Sequence, residues 1–337
     1  MKIAIHHREG SFSDRWIAYC EEKKIDYKIV NAYSNDIVQQ VEGCDAFMWH
    51  FHQSDYRDMQ FAKALIMSLE TKGIRCFPDS KTCWHFDNKV WEKYLLEAIG
   101  APLVPSYVFY TKTEALRWAR STSFPKVFKL KGGASASNVR LARTRQEAVK
   151  LIGQCFGEGF RHYRWKERLK ESYRKYKEGK SSLRELLRPI NYAFKRYPTQ
   201  FDHYHGSEIG YAYFQEFIPN NNYDTRLVVI GGKRALGEIR YCREGDFRAS
   251  GSGRFEYGNV DKQILSTAFE MAKKLQMQTV AFDFIMDNGR PLIVEISYGF
   301  GTHGISHSGG YWTPDLVWHE DKQLDFCGWM VEDLIRQ

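Results

Sequence analysis

Near the end of the chain, two apolar runs, 280–286 and 291–297, each carry one acid and are joined by Asp287-Asn288-Gly289-Arg290. Turn chemistry of this kind between strand-forming runs predicts a β-hairpin. A three-residue turn at 288–290 sets Asp283 opposite Glu295 and Ala281 opposite Ser297, with Ser297 on the acids' side of the sheet. Opposed Cβ atoms in such a pair lie ~5 Å apart. Two carboxylates this close, flanked by Phe282, Phe284, Ile293 and Val294, repel unless one is protonated or a cation sits between them. Oxygen-only donors favour Mg²⁺, with substrate phosphates completing the shell. The same spacing also suits an ordinary hairpin with two solvated acids on its polar face, and the spacing alone leaves both readings open.

The chain ahead of this hairpin divides into segments of different texture. Residues 1–77 alternate strand and helix patterns: strands at 2–5, 27–30, 45–50 and 74–77, helices at 12–22, 36–40 and 56–72. Ser11 or Ser13 can cap the first helix, and Gly73 can end the third. This order predicts a small parallel sheet with helices on both faces, and ligands in such sheets bind at the C-terminal ends of the strands. His6, His7, His50, Phe51 and His52 fall at two such ends, either as a substrate pocket or as loop histidines serving local hydrogen bonds.

From Pro78 a second unit begins. Asp87-Asn88-Lys89 opens a helix whose apolar face runs through Val90, Trp91, Tyr94, Leu95, Leu96, Ala98 and Ile99. Strand 106–110 and helix 113–120 follow. The strand Phe124–Lys131 carries Val127, Lys129 and Lys131 on one face and runs into the small-residue loop 132–138. Backbone N–H groups in such a loop approach phosphate closely, and lysines on the preceding strand add charge. The loop fits neither the P-loop pattern nor G-x-G-x-x-G.

Residues 161–205 hold thirteen Lys/Arg against five Asp/Glu, which accounts for the whole net charge of +8. Helical composition at 161–178 and 181–194, with few core residues, predicts an inserted basic arm. Its surface suits an anionic partner or is a solvated helical face. Further on, strand 211–218 precedes strands 225–230 and 235–241, joined by Gly231-Gly232, with Arg226, Arg240, Arg243 and Arg248 concentrated around this arginine hairpin. A glycine/serine loop (246–254), an amphipathic helix (261–275) and a short final helix near 330–335 complete the pattern. No apolar run reaches the ~18 residues of a membrane span, and the opening Met-Lys-Ile-Ala-Ile-His-His lacks a signal-peptide core. The seven dispersed cysteines form no C-x-x-C pair. A cytoplasmic location with reduced thiols is expected.

Taken in order, six pieces resemble the ATP-grasp superfamily: Asp87-Asn88-Lys89, the 124–129 strand with its loop, Phe214-Gln215-Glu216-Phe217-Ile218, Asp224-Thr225-Arg226, Asp246-Phe247-Arg248-Ala249-Ser250, and Phe282-Asp283-Phe284 with Val294-Glu295-Ile296-Ser297. The resemblance covers about residues 78–301, and 1–77 resembles the domain that precedes ATP-grasp units. The pattern is most similar to the ribosomal-protein glutamate ligase branch. Its Glu-Ile-Ser-Tyr-Gly ending is also similar to ATP-grasp proteins of bacterial surface-polysaccharide loci.

The resemblance implies an α/β chain, of the α+β ATP-grasp type, in three parts. These are 1–77, a small/linker part at 78–218 with a basic insertion at 161–205, and a C-terminal part at 219–337. It implies ATP and Mg²⁺ as cofactors. Lys89 and Lys129 would contact phosphates under the cover of Gly132, Gly133, Ser135 and Ser137. Gln215, Glu216 and Ile218 would line the adenine, and Asp224 would bond the ribose. Arg226, Arg240 and Arg248 would hold phosphate or an acyl-phosphate. Asp283, Glu295 and Ser297 would ligate the metal, with Ser297 standing where the family usually has Asn. The implied activity is amide formation between a carboxylate and an amine on small-molecule, peptide or glycan substrates. The alternatives are an ATP-grasp phosphotransferase or an ATP-regulated binding module whose basic arm meets an anionic partner.

Overall fold

The computed structural model describes residues 1–132, 138–161, 165–177, 179, 181–193, 195, 199–249 and 253–336. They form two compact units, one of residues 1–53, 57–105 and 218–337, the other of 54–56 and 106–217.

In the first unit, strands Asp26–Val30, Lys2–His6, Ala46–Trp49 and Arg75–Phe77 lie side by side in that order, all parallel. The expected alternation of strand and helix is therefore present. Ser11 is the cap of helix Phe12–Lys23, accepting from the Ser13 N–H. The same unit holds a seven-stranded antiparallel sheet. Its path runs through Arg290–Ser297, Thr279–Asp287, Tyr223–Ile230, Arg234–Tyr241, Gly310–Trp312 and Trp318–Glu320, with Phe255–Glu256 paired to the fourth strand. One face of this sheet packs on helix Lys262–Leu275. Asp261 caps that helix through the Gln263 N–H at 2.7 Å, and Gln276 ends it in the left-handed region. Ile264, Leu265, Ala268, Met271, Ala272 and Leu275 repeat at helical spacing and meet Leu227, Val229, Val280, Phe282 and Phe284.

The opposite face is divided. At one end Val228, Ile230, Leu236 and Ala281 join Ile3, Ile5, Phe12 and Trp16 of the parallel-sheet region and Met330, Val331 and Leu334 of helix Phe326–Arg336 in one apolar core. At the other end the same strands present charge.

The second unit is built on strands Ser106–Phe109, Ala212–Glu216, Lys126–Lys129 and Val139–Ala142, antiparallel in that order. Helices Lys112–Ser121 and Arg145–Cys155 supply Ala115, Ala119, Ala148, Leu151 and Ile152 to its core around Phe128 and Phe214. The helix expected at 181–194 is instead two short ones, Leu183–Leu187 and Ile190–Ala193. Pro189 lies between them, where its missing N–H and ring clash interrupt a helix. Among the described residues, no helix is long and apolar enough to cross a membrane. All seven cysteines are free thiols.

Candidate active site

The acid hairpin closes on a two-residue turn, Asn288-Gly289, with φ of 48° and 80°. Positive φ at both central residues is the type I′ requirement, which Asn-Gly meets. This corrects the expected three-residue turn. It puts Asp287 opposite Arg290 and Phe284 opposite Ile293, and a bulge between Asp283 and Phe284 then shifts the register by one residue. Asp283 therefore does face Glu295, and Ala281 does face Ser297, by a different route. A bulge inserts one extra residue and re-aims its neighbours. Here the register skips Val294.

Pairing carries the row across the sheet. Asp283 is the partner of Arg226, and Arg226 is the partner of Glu238. Four adjacent strands thus present Glu295, Asp283, Arg226 and Glu238 in line. One step along, Asp224 opposes Arg240. Arg226 donates to both Asp283 oxygens, Nε to Oδ1 at 2.8 Å and Nη2 to Oδ2 at 2.9 Å. Arg240 Nη2 reaches Asp283 Oδ2 at 2.8 Å, and its Nε and Nη2 donate to Asp224 at 2.6 and 2.7 Å. The charge of Asp283 is thus met by two guanidinium groups.

Burial favours the neutral Asp283 carboxyl, but Arg226 and Arg240 outweigh it and hold the group well below the usual carboxylate range. Burial works against the charged Arg240 as well; Asp283 and Asp224 overcome it, and the guanidinium is held well above its ordinary value. Glu238 is buried and its carboxyl is raised, by burial first, against the pull of Arg226 and Arg240.

Lys89 opens helix Lys89–Ala98 behind the cap Asn88, whose side chain accepts from the Val90 and Trp91 N–H groups. Its Nζ lies 3.7 Å from Glu295 Oε2. Three residues on, on the same helix face, Glu92 is buried and accepts from the Ile296 N–H at 3.4 Å. Burial pushes the Glu92 carboxyl up to about 8, with Lys89 opposing and Glu295 adding to the rise. Ser297 Oγ donates to the Gly299 carbonyl at 2.6 Å. Arg248 is paired with Asp246 at 2.5 Å. Ile218 follows the last strand of the second unit and begins the returning segment of the first.

In the second unit, Lys126 and Lys129 are both buried on strand Lys126–Lys129. Lys126 Nζ meets the two Glu216 oxygens at 2.6 and 2.7 Å, and Tyr107 OH donates to Glu216 at 2.9 Å. Gln215 Nε2 donates to Ser106 Oγ at 3.1 Å. Asn138 Nδ2 closes the base of the glycine loop on the Gly132 carbonyl at 2.7 Å. Gly133, Ser135 and Ser137 lie outside the described residues.

The structure thus gathers Lys89, Asp224, Arg226, Arg240, Asp283 and Glu295 in one unit, and Lys129, Gly132, Gln215 and Glu216 in the other. Glu92, Lys126 and Glu238 are charged neighbours that the sequence reading passed over. Glu238 stands two residues before Arg240 on one strand, so strand alternation signals it; Glu92 stands one helical turn after Lys89.

Two of the histidines at the parallel-strand ends, His6 and His50, make local bonds. The Ala32 N–H donates to His6 Nδ1 at 3.0 Å, and the Phe12 N–H donates to His50 Nδ1 at 3.1 Å, with the His50 ring stacked on Phe12 at 3.7 Å. Burial lowers the pKa of both. Asp58, also buried, accepts from the His52 N–H at 2.6 Å and from Tyr33 OH.

The donor set is compatible with Mg²⁺. An ionised carboxylate offers about four lone-pair positions. Asp283 gives three to the hydrogen bonds above, so Oδ1 retains capacity toward the opposed Glu295, whose side chain is 36% exposed. Hard oxygen donors with room for phosphate are what Mg²⁺ selects. Among the described residues, no three His, Cys, Asp or Glu side chains form a ready-made metal cage.

Comparison with known proteins bears out the resemblance drawn from the motifs. Residues 207–311 match the RimK-like ATP-grasp domain. A probable α-L-glutamate ligase of Vibrio atlanticus (strain LGP32) is 28% identical over 106 residues, 31% of this chain and 35% of that one. The α-aminoadipate–LysW ligase LysX of Saccharolobus solfataricus is 22% identical over 285 residues, 82% of this chain and 84% of its own. In fold, the chain is similar to the D-alanine–D-alanine ligase of Bacillus anthracis complexed with ATP, with a TM-score of 0.59 and 12% identity, covering 100% of this chain and 97% of that one. The α/β architecture is therefore that of the ATP-grasp ligases, and the named relatives are ligases.

Proposed function

We propose that this chain, with its RimK-like ATP-grasp domain, is an ATP- and Mg²⁺-dependent ligase that joins a carboxylate to an amine through an acyl-phosphate. The observation that carries the reading is the charged row Glu295–Asp283–Arg226–Glu238 with Asp224–Arg240 beside it, aligned by strand register. Phosphoryl transfer from ATP to a carboxylate asks for positioning and charge neutralisation rather than a protein nucleophile. A site of guanidinium groups, lysines and opposed carboxylates meets that demand.

In this reading Asp283 and Glu295 hold Mg²⁺, which when bound neutralises charge between the phosphates of ATP. Arg240 is buried and fixed by two carboxylates. Its planar, pre-oriented guanidinium suits the transferred phosphoryl group, and Arg226 supports it from the neighbouring strand. Lys89 and Lys129 contact the phosphates, and Gly132, Gly133, Ser135 and Ser137 keep the phosphate-covering role that the resemblance implies. Gln215, Glu216 and Ile218 line the adenine. Asp224 and Arg248 keep their proposed places at the ribose and the phosphates, although Asp224 now also serves to hold Arg240. Ser297, whose hydroxyl hydrogen is given to Gly299, can offer only its oxygen lone pairs to a metal.

Glutamate, an acidic amino acid or another amino acid is the substrate class that the named relatives suggest, and peptide or surface-glycan carriers fit the resemblance. The test is ADP release with Mg²⁺ across amino acids, acidic peptides and acidic sugars, with mass spectrometry of the products. A product heavier by the amine minus water supports the ligase. A stable phosphorylated product formed without an amine supports phosphotransfer instead.

A further inference from the structure

Glu238 is not explained by phosphate binding. It lies between two arginine-bearing positions on the same face, opposite Arg226 and two residues from Arg240. Only 4% of it is exposed, and its Oε2 is buried without a hydrogen-bond partner among the described residues. Arg226 turns its Nε and Nη2 to Asp283 and makes no hydrogen bond to this oxygen among the described residues. A buried carboxylate oxygen left open is costly and calls for a donor that comes from elsewhere.

The chain also makes room for that oxygen. Gly304 belongs to the short helix Thr302–Ile305, within a segment that has glycine at 299, 301, 304, 309 and 310. A Cβ placed on Gly304 would overlap Glu238 Oε2. The glycine therefore leaves the notch that the carboxylate occupies. Beyond it, Tyr257 stacks on His307 with 6.1 Å between ring centroids. The row reads acid, acid, base, acid, and Arg226 stands between its last acid and the opposed pair Asp283 and Glu295.

We propose that Glu238 receives the incoming amine. This rests on the ligase reading above and extends it to the second half of the reaction. The donor that fits an open carboxylate oxygen beside guanidinium groups is an ammonium group, which makes a charge-assisted hydrogen bond. Before it can attack, the ammonium must lose a proton, and Glu238 takes it. The nitrogen lone pair then forms the C–N bond with the acyl-phosphate carbonyl carbon. The bond from that carbon to the bridging oxygen breaks, and its electron pair leaves with phosphate. The second nitrogen proton passes to the departing phosphate, and Glu238 releases its own proton to water.

Hydroxylamine separates this step from the first, since it is largely uncharged at neutral pH and attacks acyl-phosphates without a base. The experiment supplies ATP, Mg²⁺ and the standard amino acids as carboxylate and as amine, and measures hydroxamate and amide from the wild type, Glu238→Gln and Gly304→Ala. For Glu238→Gln, amide formation is expected to fall about 100-fold, the usual scale for losing a general base, in kcat more than in KM for ATP. Its hydroxamate formation is expected to fall less than two-fold. Gly304→Ala, which displaces the carboxylate while leaving Glu238 in the chain, is expected to show the same split. Equal loss of both products in the two variants would make Glu238 a support for Arg226 and overturn the inference. So would amide formed at the wild-type rate, which would mean that a water molecule satisfies Oε2. A wild type that yields neither hydroxamate nor amide would instead overturn the ligase reading, and this inference with it.

Discussion

The two ends of one sheet face make the most instructive comparison in the molecule. Three strands supply both, and a fourth joins at the charged end. At one end Val228, Ile230, Leu236 and Ala281 disappear into an apolar core. Two residues further along those strands, Arg226, Glu238 and Asp283 form a line of charge that Glu295 extends on the fourth. A step of two strand residues is about 7 Å. Over that distance the sheet passes from hydrocarbon, which holds it to its neighbours, to ion pairs, which position chemistry. The apolar end gains stability from area removed from water. The charged end gains little net stability, because desolvation offsets attraction, yet breaking it is costly.

That contrast can be broken from either side. Asp283→Ala leaves two guanidinium groups without their shared partner, and a cost of about 3–5 kcal/mol is expected in urea unfolding. ATP turnover should vanish as well. Leu236→Ala at the apolar end should cost about 2–4 kcal/mol through transfer and cavity terms, with turnover per folded molecule kept. If Leu236→Ala removed turnover and Asp283→Ala did not, the division of labour would be reversed.

Acid titration sharpens the same point. Asp283 ionises well below its unfolded value, near pH 4. Its contribution to stability is therefore present above about pH 4 and is lost as pH falls below that. Asp283→Asn should flatten the acid limb of a melting-temperature profile, whereas Leu236→Ala should lower the whole profile without changing its slope.

Glu92 gives the opposite sign. Its carboxyl is raised to about 8 in the folded chain, so its contribution is complete below the unfolded value near pH 4 and fades as pH rises through about 8. Glu92→Gln needs no proton to stay neutral. Its melting temperature should rise relative to wild type between pH 5 and 8.5, a smaller effect than the two above. A constant difference across that range would show that Glu92 does not titrate there.

Much of this arrangement was legible in the sequence, and what was not has definite causes. The alternating apolar pattern located the parallel strands and the amphipathic helix at 262–275, since burial on one face dictates both periods. Facing acids were read from residue numbers, but through the wrong turn. A bulge adds one residue and a shorter turn removes one, so the two cancel in the register count. Pro189 splits a predicted helix, although composition alone suggested continuity. Strand alternation with Arg240 could have placed Glu238 on the charged face, but its surroundings are not local in sequence: Arg226 stands opposite and Gly304 comes more than sixty residues later. The resemblance implies Ser297 as a metal ligand; that its hydroxyl donates to the Gly299 carbonyl is a local bond that no sequence pattern announced.

The most direct test of the central claim is ADP release by Glu295→Ala. The Glu295 side chain is partly exposed and its nearest cation is Lys89 at 3.7 Å, so the fold should survive its loss with a melting temperature close to wild type. The account predicts that Mg²⁺-dependent ADP release then falls to background at every substrate that the wild type uses. A folded Glu295→Ala protein that turns over ATP at near the wild-type rate would contradict it.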